Sequence, residues 1–205
     1  TRSQARNSMA AAKSLKKLLV TADFAMIKGV IFDWNGTLSN DNRKIFATAM
    51  MTAKKLGGKP LKTYWEFRRK AMNPYVRFYH SLGCSGSRAL INRWYRFYLE
   101  RVKIPARLFP DAAQVLRFLK SKGIVTGIVS SHPTSNLVAE AKSHGILALL
   151  DFVKGDSHPK SRDVMLFLRK NRLKPSEAVF VGDMVNDIEE GRKCKVVTAV
   201  YLRGV

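Results

Sequence analysis

Cysteines and long apolar runs are both scarce in this 205-residue chain. Its two cysteines, Cys84 and Cys194, are far apart and form no Cys-x-x-Cys pair, so neither a thiolate zinc site nor a disulfide scaffold is expected. No apolar run approaches the roughly 18 residues that a membrane-spanning helix needs. The sequence therefore predicts an intracellular protein of a reducing compartment without a membrane span.

Acidic residues are also few, because 15 Asp and Glu stand against 37 Lys and Arg and leave a formal charge of +22. The excess is concentrated in residues 40–110, which contain sixteen basic and three acidic residues. Contact with a polyanion such as RNA is the commonest use of so much positive charge, and a solvated lysine-rich surface is the alternative. A hydrophobic content of 46% excludes an intrinsically disordered chain.

Residues 1–25 are predicted to be a basic N-terminal extension, since residues 1–22 carry five basic residues and no acidic one. The segment has three interpretations: the remnant of an organelle transit peptide, residues before a start at Met9, or a surface helix. The predicted location is accordingly cytoplasmic, or mitochondrial or otherwise organellar if the segment is a targeting remnant.

The rest of the chain alternates apolar strands with helices. Strands are predicted at 30–32, 124–130, 149–153, 178–182 and 196–201, and helices at 41–105, 110–122, 135–144, 162–172 and 185–193. This alternation is typical of βαβ units and a parallel sheet, in which ligands bind at the carboxyl ends of the strands. The polar residues Asp33, Ser130 and Asp183 end three of these strands and are expected at one edge.

Four segments in order resemble the haloacid dehalogenase superfamily, in its phosphoglycolate-phosphatase-like branch with a C1 helical cap. They are residues 30–38 (VIFDWNGTL), residues 128–133 (IVSSHP), Lys160, and residues 182–187 (GDMVND). The resemblance implies an α/β, Rossmann-like three-layer parallel sheet, with a small α-helical cap inserted after the first strand. It places the core at 26–40 and 106–205 and the cap at 41–105.

The resemblance also implies a Mg²⁺-dependent phosphatase that acts on a small phosphorylated substrate through an aspartyl-phosphate. Asp33 would be the nucleophile, while Ser130 and Lys160 would stabilise the phosphoryl group. Ser130 is preferred to Ser131 because Pro133 fixes the alignment, and Lys154 is the nearby alternative to Lys160. Substrate contacts are expected at Gly36, Thr37 and Ser131, and metal contacts at Asp33, Asn35 (through its backbone carbonyl), Asp183 and Asp187.

Asn35 departs from the family pattern, which has at this position an Asp that protonates the leaving group and later activates water. An amide can do neither, and general acid–base help is worth roughly 10²–10⁴-fold. The natural substrate could then have a good leaving group, the enzyme could be slow or substrate-assisted, or catalysis could have been lost. An introduced Asp→Asn change is a further alternative.

The cap combines arginines with aromatic side chains. The aromatics are predicted to form its own core, with the arginines on the solvated face. The positive charge also suits RNA or another polyanion. The sequence thus favours a slowed phosphoric monoester hydrolase, and the alternative is a non-catalytic RNA-associated protein, such as an organellar ribosome component or assembly factor.

Overall fold

The computed structural model describes residues 27–71 and 74–201, which form two units. The first unit, the core, comprises residues 27–40 and 108–201, and the second, the helical unit, comprises residues 41–107 apart from the two that are not described. The predicted N-terminal extension lies outside the described residues.

The core is built on a parallel sheet whose strand order is β3-β2-β1-β4-β5. The strands are β1 (Gly29–Phe32), β2 (Val125–Val129), β3 (Phe152–Lys154), β4 (Ala178–Gly182) and β5 (Val197–Val200). β1 lies at the centre, where Phe32 pairs with Ile128 of β2 and with Val181 of β4. Because β1 and β4 are neighbours in register, the residues that follow them emerge side by side.

Successive residues of β1 pack on opposite faces of the sheet, as strand geometry requires. Val30 and Phe32 belong to one buried apolar cluster and Ile31 to another. The helices of the core are α5 (Ala112–Ser121), α6 (Thr134–Ser143), α7 (Lys160–Lys170) and α8 (Val185–Lys193). The first two contribute to the Val30 cluster and α7 to the Ile31 cluster, so the predicted three-layer α/β fold is confirmed.

Several predicted element boundaries differ by one to three residues, and two of these differences bear on the core and the site. The strand expected at 149–153 begins only at Phe152, because Leu147–Leu149 form a 3₁₀ turn that contributes apolar side chains to the core. The helix expected from residue 162 begins at Lys160, with Pro159 at its N-cap position. The lysine of the third motif is therefore the first residue of α7 rather than a loop residue.

The helical unit consists of four helices within its described residues: α1 (Asn42–Lys55), α2 (Tyr64–Lys70), α3 (Tyr75–Ser81) and α4 (Arg88–Arg101). A capping box begins α2, where the Thr63 hydroxyl accepts from the Glu66 N–H and the Glu66 carboxylate accepts from the Thr63 N–H. Phe78 and Tyr79 are buried in a core of this unit's own, as predicted, whereas Trp65 and Phe97 are exposed.

The chain leaves and re-enters the core at one place. The Phe109 N–H donates to the Leu38 carbonyl over 2.9 Å, and Ser39 forms an antiparallel bridge with Leu108. The helical unit is thus inserted between two backbone segments that are hydrogen-bonded to each other. Among the described helices, none combines the length and apolar character needed to cross a membrane.

Candidate active site

Three carboxylates meet at the carboxyl edge of the central strands. Asp33 follows β1, Asp183 follows the neighbouring β4, and Asp187 lies in the first turn of α8. One oxygen from each lies within 4.8 Å of the others, and the residues are only 5%, 6% and 1% exposed. Like charges at this separation and depth repel strongly unless a cation compensates them.

Lys160 supplies one such cation. Its Nζ lies 2.9 Å from Asp33 Oδ1 and 2.7 Å from Asp187 Oδ1, and the side chain is buried. Burial by itself would lower the pKa of Lys160, but the attraction of Asp33 and Asp187 outweighs it and raises that pKa above its ordinary value. Lys160 therefore stays charged at neutral pH. Lys154, the alternative lysine for the third motif, is a half-buried residue of β3.

Asp187 is held by the protein through both of its oxygens. Oδ1 accepts from Lys160, and Oδ2 accepts from the Met184 backbone N–H over 3.1 Å. Burial and the charge of Asp33 raise the pKa of Asp187, against the opposing effect of Lys160. These two hydrogen bonds suit a supporting position better than a direct contact to a metal ion.

The donor set fits a hard divalent cation. Three carboxylates and one ammonium leave net negative charge in a buried site, and Mg²⁺ binds carboxylate oxygens together with water and phosphate. Asp33 and Asp183 would hold the ion, with Asp187 in support. Bound there, Mg²⁺ would supply charge neutralisation for phosphate oxygens.

Gly36 makes room for this cluster. Its φ of +77° lies in the left-handed region, and a Cβ built there would stand 2.5 Å from Asp183 Oδ2. At Gly36 the backbone therefore approaches a carboxylate more closely than a residue with a side chain would allow.

Gly36→Ala is expected to lower kcat/KM by roughly 10²-fold, the scale for displacing a catalytic group by about 1 Å. Gly57→Ala is a matched control, because Gly57 also has a φ of +77° but open space around its Cβ position. Gly57→Ala should lose about 1–2 kcal/mol of unfolding free energy from the left-handed backbone, and Gly36→Ala should lose at least as much because its Cβ also meets Asp183. Steady-state kinetics measure the loss of activity, and denaturant melts measure the loss of stability. An equal loss of activity in both variants would show that the contact of Gly36 with Asp183 does not matter for activity.

The second motif contains two adjacent serines that differ in their exposure to solvent. Ser130 is buried, whereas Ser131 is exposed. The Ser130 hydroxyl oxygen accepts from the His132 N–H over 3.3 Å, which leaves the hydroxyl hydrogen to donate elsewhere. The role of Ser130 as the phosphate-contacting hydroxyl stays a prediction.

Asn35 belongs to a buried network that the sequence did not predict. Its Nδ2 lies 3.4 Å from Nδ1 of His132, whose Nε2 lies 3.4 Å from Glu140 Oε2. The same Glu140 oxygen accepts from the Trp34 indole N–H over 2.8 Å. His132 is only 2% exposed, so it is a buried loop residue in contact with Asn35.

Thr37 follows Gly36 and is buried. Its backbone N–H donates to the Trp34 carbonyl over 3.2 Å, and its side chain lines a small pocket with apolar residues that include Phe32 and Val115. The structure thus brings Asp33, Gly36, Lys160, Asp183 and Asp187 into one cluster and joins Asn35 to Ser130 through His132. Thr37 and exposed Ser131 stay only predictions as substrate contacts.

Comparison with known proteins gives consistent matches. The sequence-family model of the haloacid dehalogenase-like hydrolases matches residues 27–195. A phosphoglycolate phosphatase of Synechococcus elongatus is 26% identical, over a match that covers 87% of this chain and 85% of the relative's length. A Clostridium perfringens protein with the provisional name pyrophosphatase PpaX is 30% identical, over a match that covers 84% of this chain and 83% of the relative's length. A solved haloacid dehalogenase-like family hydrolase of Streptococcus pneumoniae superposes with a TM-score of 0.71 at 25% identity, covering 86% and 85%.

Proposed function

Because the chain belongs to the haloacid dehalogenase-like hydrolase family, we propose that it is a Mg²⁺-dependent phosphatase that acts through an aspartyl-phosphate. The substrate would be a small phosphate monoester, as the phosphoglycolate phosphatase name of one relative suggests. The observation that carries the proposal is the buried cluster in which Lys160 bridges Asp33 and Asp187 beside Asp183.

In the first half-reaction, a carboxylate oxygen of Asp33 would attack phosphorus, and the bond to the leaving oxygen would break. Lys160 supports this role because its Nζ, 2.9 Å from Asp33 Oδ1, holds that carboxylate in a fixed orientation. The hydroxyl hydrogen of Ser130 would donate to a phosphoryl oxygen. Burial strengthens these interactions because little water competes with them.

Asn35 bears on both half-reactions. It cannot protonate the leaving oxygen, so substrates whose leaving group departs as a stable anion should react fastest. The pyrophosphatase name of one relative points in the same direction, since phosphate leaves more readily than an alkoxide. In the second half-reaction, water must attack the aspartyl-phosphate without a base at position 35, and this step should limit turnover.

The alternative is a non-catalytic RNA-associated protein, such as an organellar ribosome component or assembly factor. It accounts for Asn35 and for the positive charge. It does not account for a lysine and three carboxylates buried in mutual contact, because such a site costs desolvation energy that a scaffold has no need to spend.

Two coarser features complete the proposal. The helical unit would select the substrate. The domain division would be the one expected from the sequence: an N-terminal extension at 1–25, a core at 26–40 and 106–205, and a cap at 41–105. The compartment would be intracellular and reducing, since Cys84 and Cys194 are both free and buried. A cytoplasmic or organellar location would depend on the N-terminal extension.

Hydrolysis of p-nitrophenyl phosphate tests the proposed activity. Release of nitrophenolate should require Mg²⁺, fall to the background rate on addition of EDTA, and return when Mg²⁺ is added in excess. Ca²⁺ should restore little, because its larger and more flexible coordination suits this transfer poorly. Absence of turnover on aryl and acyl phosphates, with Mg²⁺ binding intact, would support the non-catalytic alternative.

A further inference from the structure

The helical unit has far more positive than negative side chains. Its sequence contains sixteen Lys and Arg and three acidic residues. Glu66 is occupied in capping α2, Asp41 is buried, and exposed Glu100 lies 3.9 Å from Arg101. The acidic residues therefore neutralise little of this charge, and the unit presents a strongly positive potential to solvent.

Part of this charge lies next to aromatic rings on α4 and at the end of α1. Arg93, Arg96 and Arg101 are exposed, and a spacing of four residues brings Arg93 and Arg101 to the same side of the helix as Phe97. Phe97 itself is 38% exposed. We define the α4 surface as Lys55, Arg93, Trp94, Arg96, Phe97 and Arg101.

Cations lie over the rings of the α4 surface. The Arg101 guanidinium carbon is 3.6 Å from the centre of the Phe97 ring, and Lys55 Nζ is 4.5 Å from that of Trp94. The two rings are in edge-to-face contact with centroids 5.3 Å apart. An exposed cation–π contact is weaker than the stacking of a nucleobase on an aromatic ring, so a base can displace the cation. The displaced cation then lies within reach of the adjoining phosphate.

We infer that the α4 surface binds single-stranded nucleic acid. Several arginines along one helix match a chain of regularly spaced phosphates, whereas a small phosphorylated metabolite needs only two or three cations. The exposed ring of Phe97 favours an unpaired base, because a duplex hides the faces of its bases in the stack. The inference does not rest on the proposed phosphatase activity.

Fluorescence anisotropy of a labelled oligouridylate of about 20 nucleotides tests the inference on the full chain. The logarithm of the affinity should fall with the logarithm of salt concentration, by about 0.7 for each phosphate neutralised. The combined variant Arg93→Gln, Arg96→Gln, Arg101→Gln should reduce this slope by about 2. Phe97→Leu should weaken binding roughly 5- to 100-fold and leave the slope unchanged. Asp33→Asn should bind as tightly as the unaltered protein.

A second triple variant controls for total charge. Arg117→Gln, Arg169→Gln, Arg192→Gln removes the same charge from exposed positions of α5, α7 and α8 in the core. Circular dichroism melts verify that each variant is folded. Equal weakening by the two triple variants would overturn the inference, because binding would then follow net charge alone. Binding of duplex RNA or polyglutamate as tight as that of the oligouridylate, or no effect of Phe97→Leu, would also overturn it.

Discussion

Asp33→Asn is expected to lower the rate of p-nitrophenyl phosphate hydrolysis by roughly 10⁴-fold or more, the scale for removing a nucleophile. The amide has nearly the shape of the carboxylate but cannot attack phosphorus. The free energy of unfolding should not fall with the activity. Lys160 keeps its ion pair with Asp187, and one of three mutually repelling buried carboxylates is removed. In the absence of divalent metal, we therefore expect stability to rise by about 1 kcal/mol.

Glu189→Gln provides the control for Asp33→Asn, because Glu189 is an exposed carboxylate on α8 and its replacement makes the same change in charge. Its turnover should equal that of the unaltered protein. Labelled phosphate should be trapped on the unaltered protein after an acid quench and should be absent from Asp33→Asn. Turnover or trapping that persists in Asp33→Asn would show that another group is the nucleophile.

Asn35→Asp is expected to raise steady-state turnover by roughly 10²-fold or more, the usual scale of acid–base catalysis. In the unaltered protein a good substrate should phosphorylate Asp33 faster than water releases the phosphate. Rapid mixing should then show a burst that approaches one product per site. A carboxylate at position 35 can activate the attacking water, so the burst should disappear. The gain should be largest for substrates with alkoxide leaving groups, which need a proton.

Asn35→Ala is the control, because it removes the amide without adding an ionisable group and should not increase turnover. The introduced carboxylate of Asn35→Asp would lie beside His132, at the position where the Asn35 nitrogen is 3.4 Å from the ring. Unchanged turnover in Asn35→Asp would mean that another group already transfers the proton, and His132→Gln would then be the next variant to measure. Loss of turnover from His132→Gln alone would identify that group.

The sequence predicted the parts of the site that depend on strand ends. Asp33 and Asp183 follow apolar runs, and parallel strands bring their carboxyl ends to one edge, so their proximity followed from the pattern. The position of Lys160 was predicted only from the order of the motifs. Its helix was expected two residues later, because a Pro-Lys pair does not by itself reveal where a helix begins.

The network around Asn35 could not be predicted in the same way. His132 lies 97 residues from Asn35, and Glu140 lies 106 residues from Trp34, so no local pattern connects them. Glu140, on the helix that follows the second motif, was the one signal of this network in the sequence. An acidic residue on a helix is usually solvated, however, so it did not indicate a buried contact. The exposure of Phe97 was missed for a related reason, because helical spacing does not indicate which face is covered.

The hydrogen bond between Phe109 and Leu38 has a consequence for how such a chain can diverge. The backbone closes on itself at that point, so the helical unit is an excursion whose two ends are already joined. Insertions, deletions or replacement between those ends should therefore leave the strand order and the spacing of the three buried carboxylates unaltered. Changes in length and charge can accumulate in this one segment while the reaction chemistry is conserved, which makes the segment a module that evolution or an engineer can exchange.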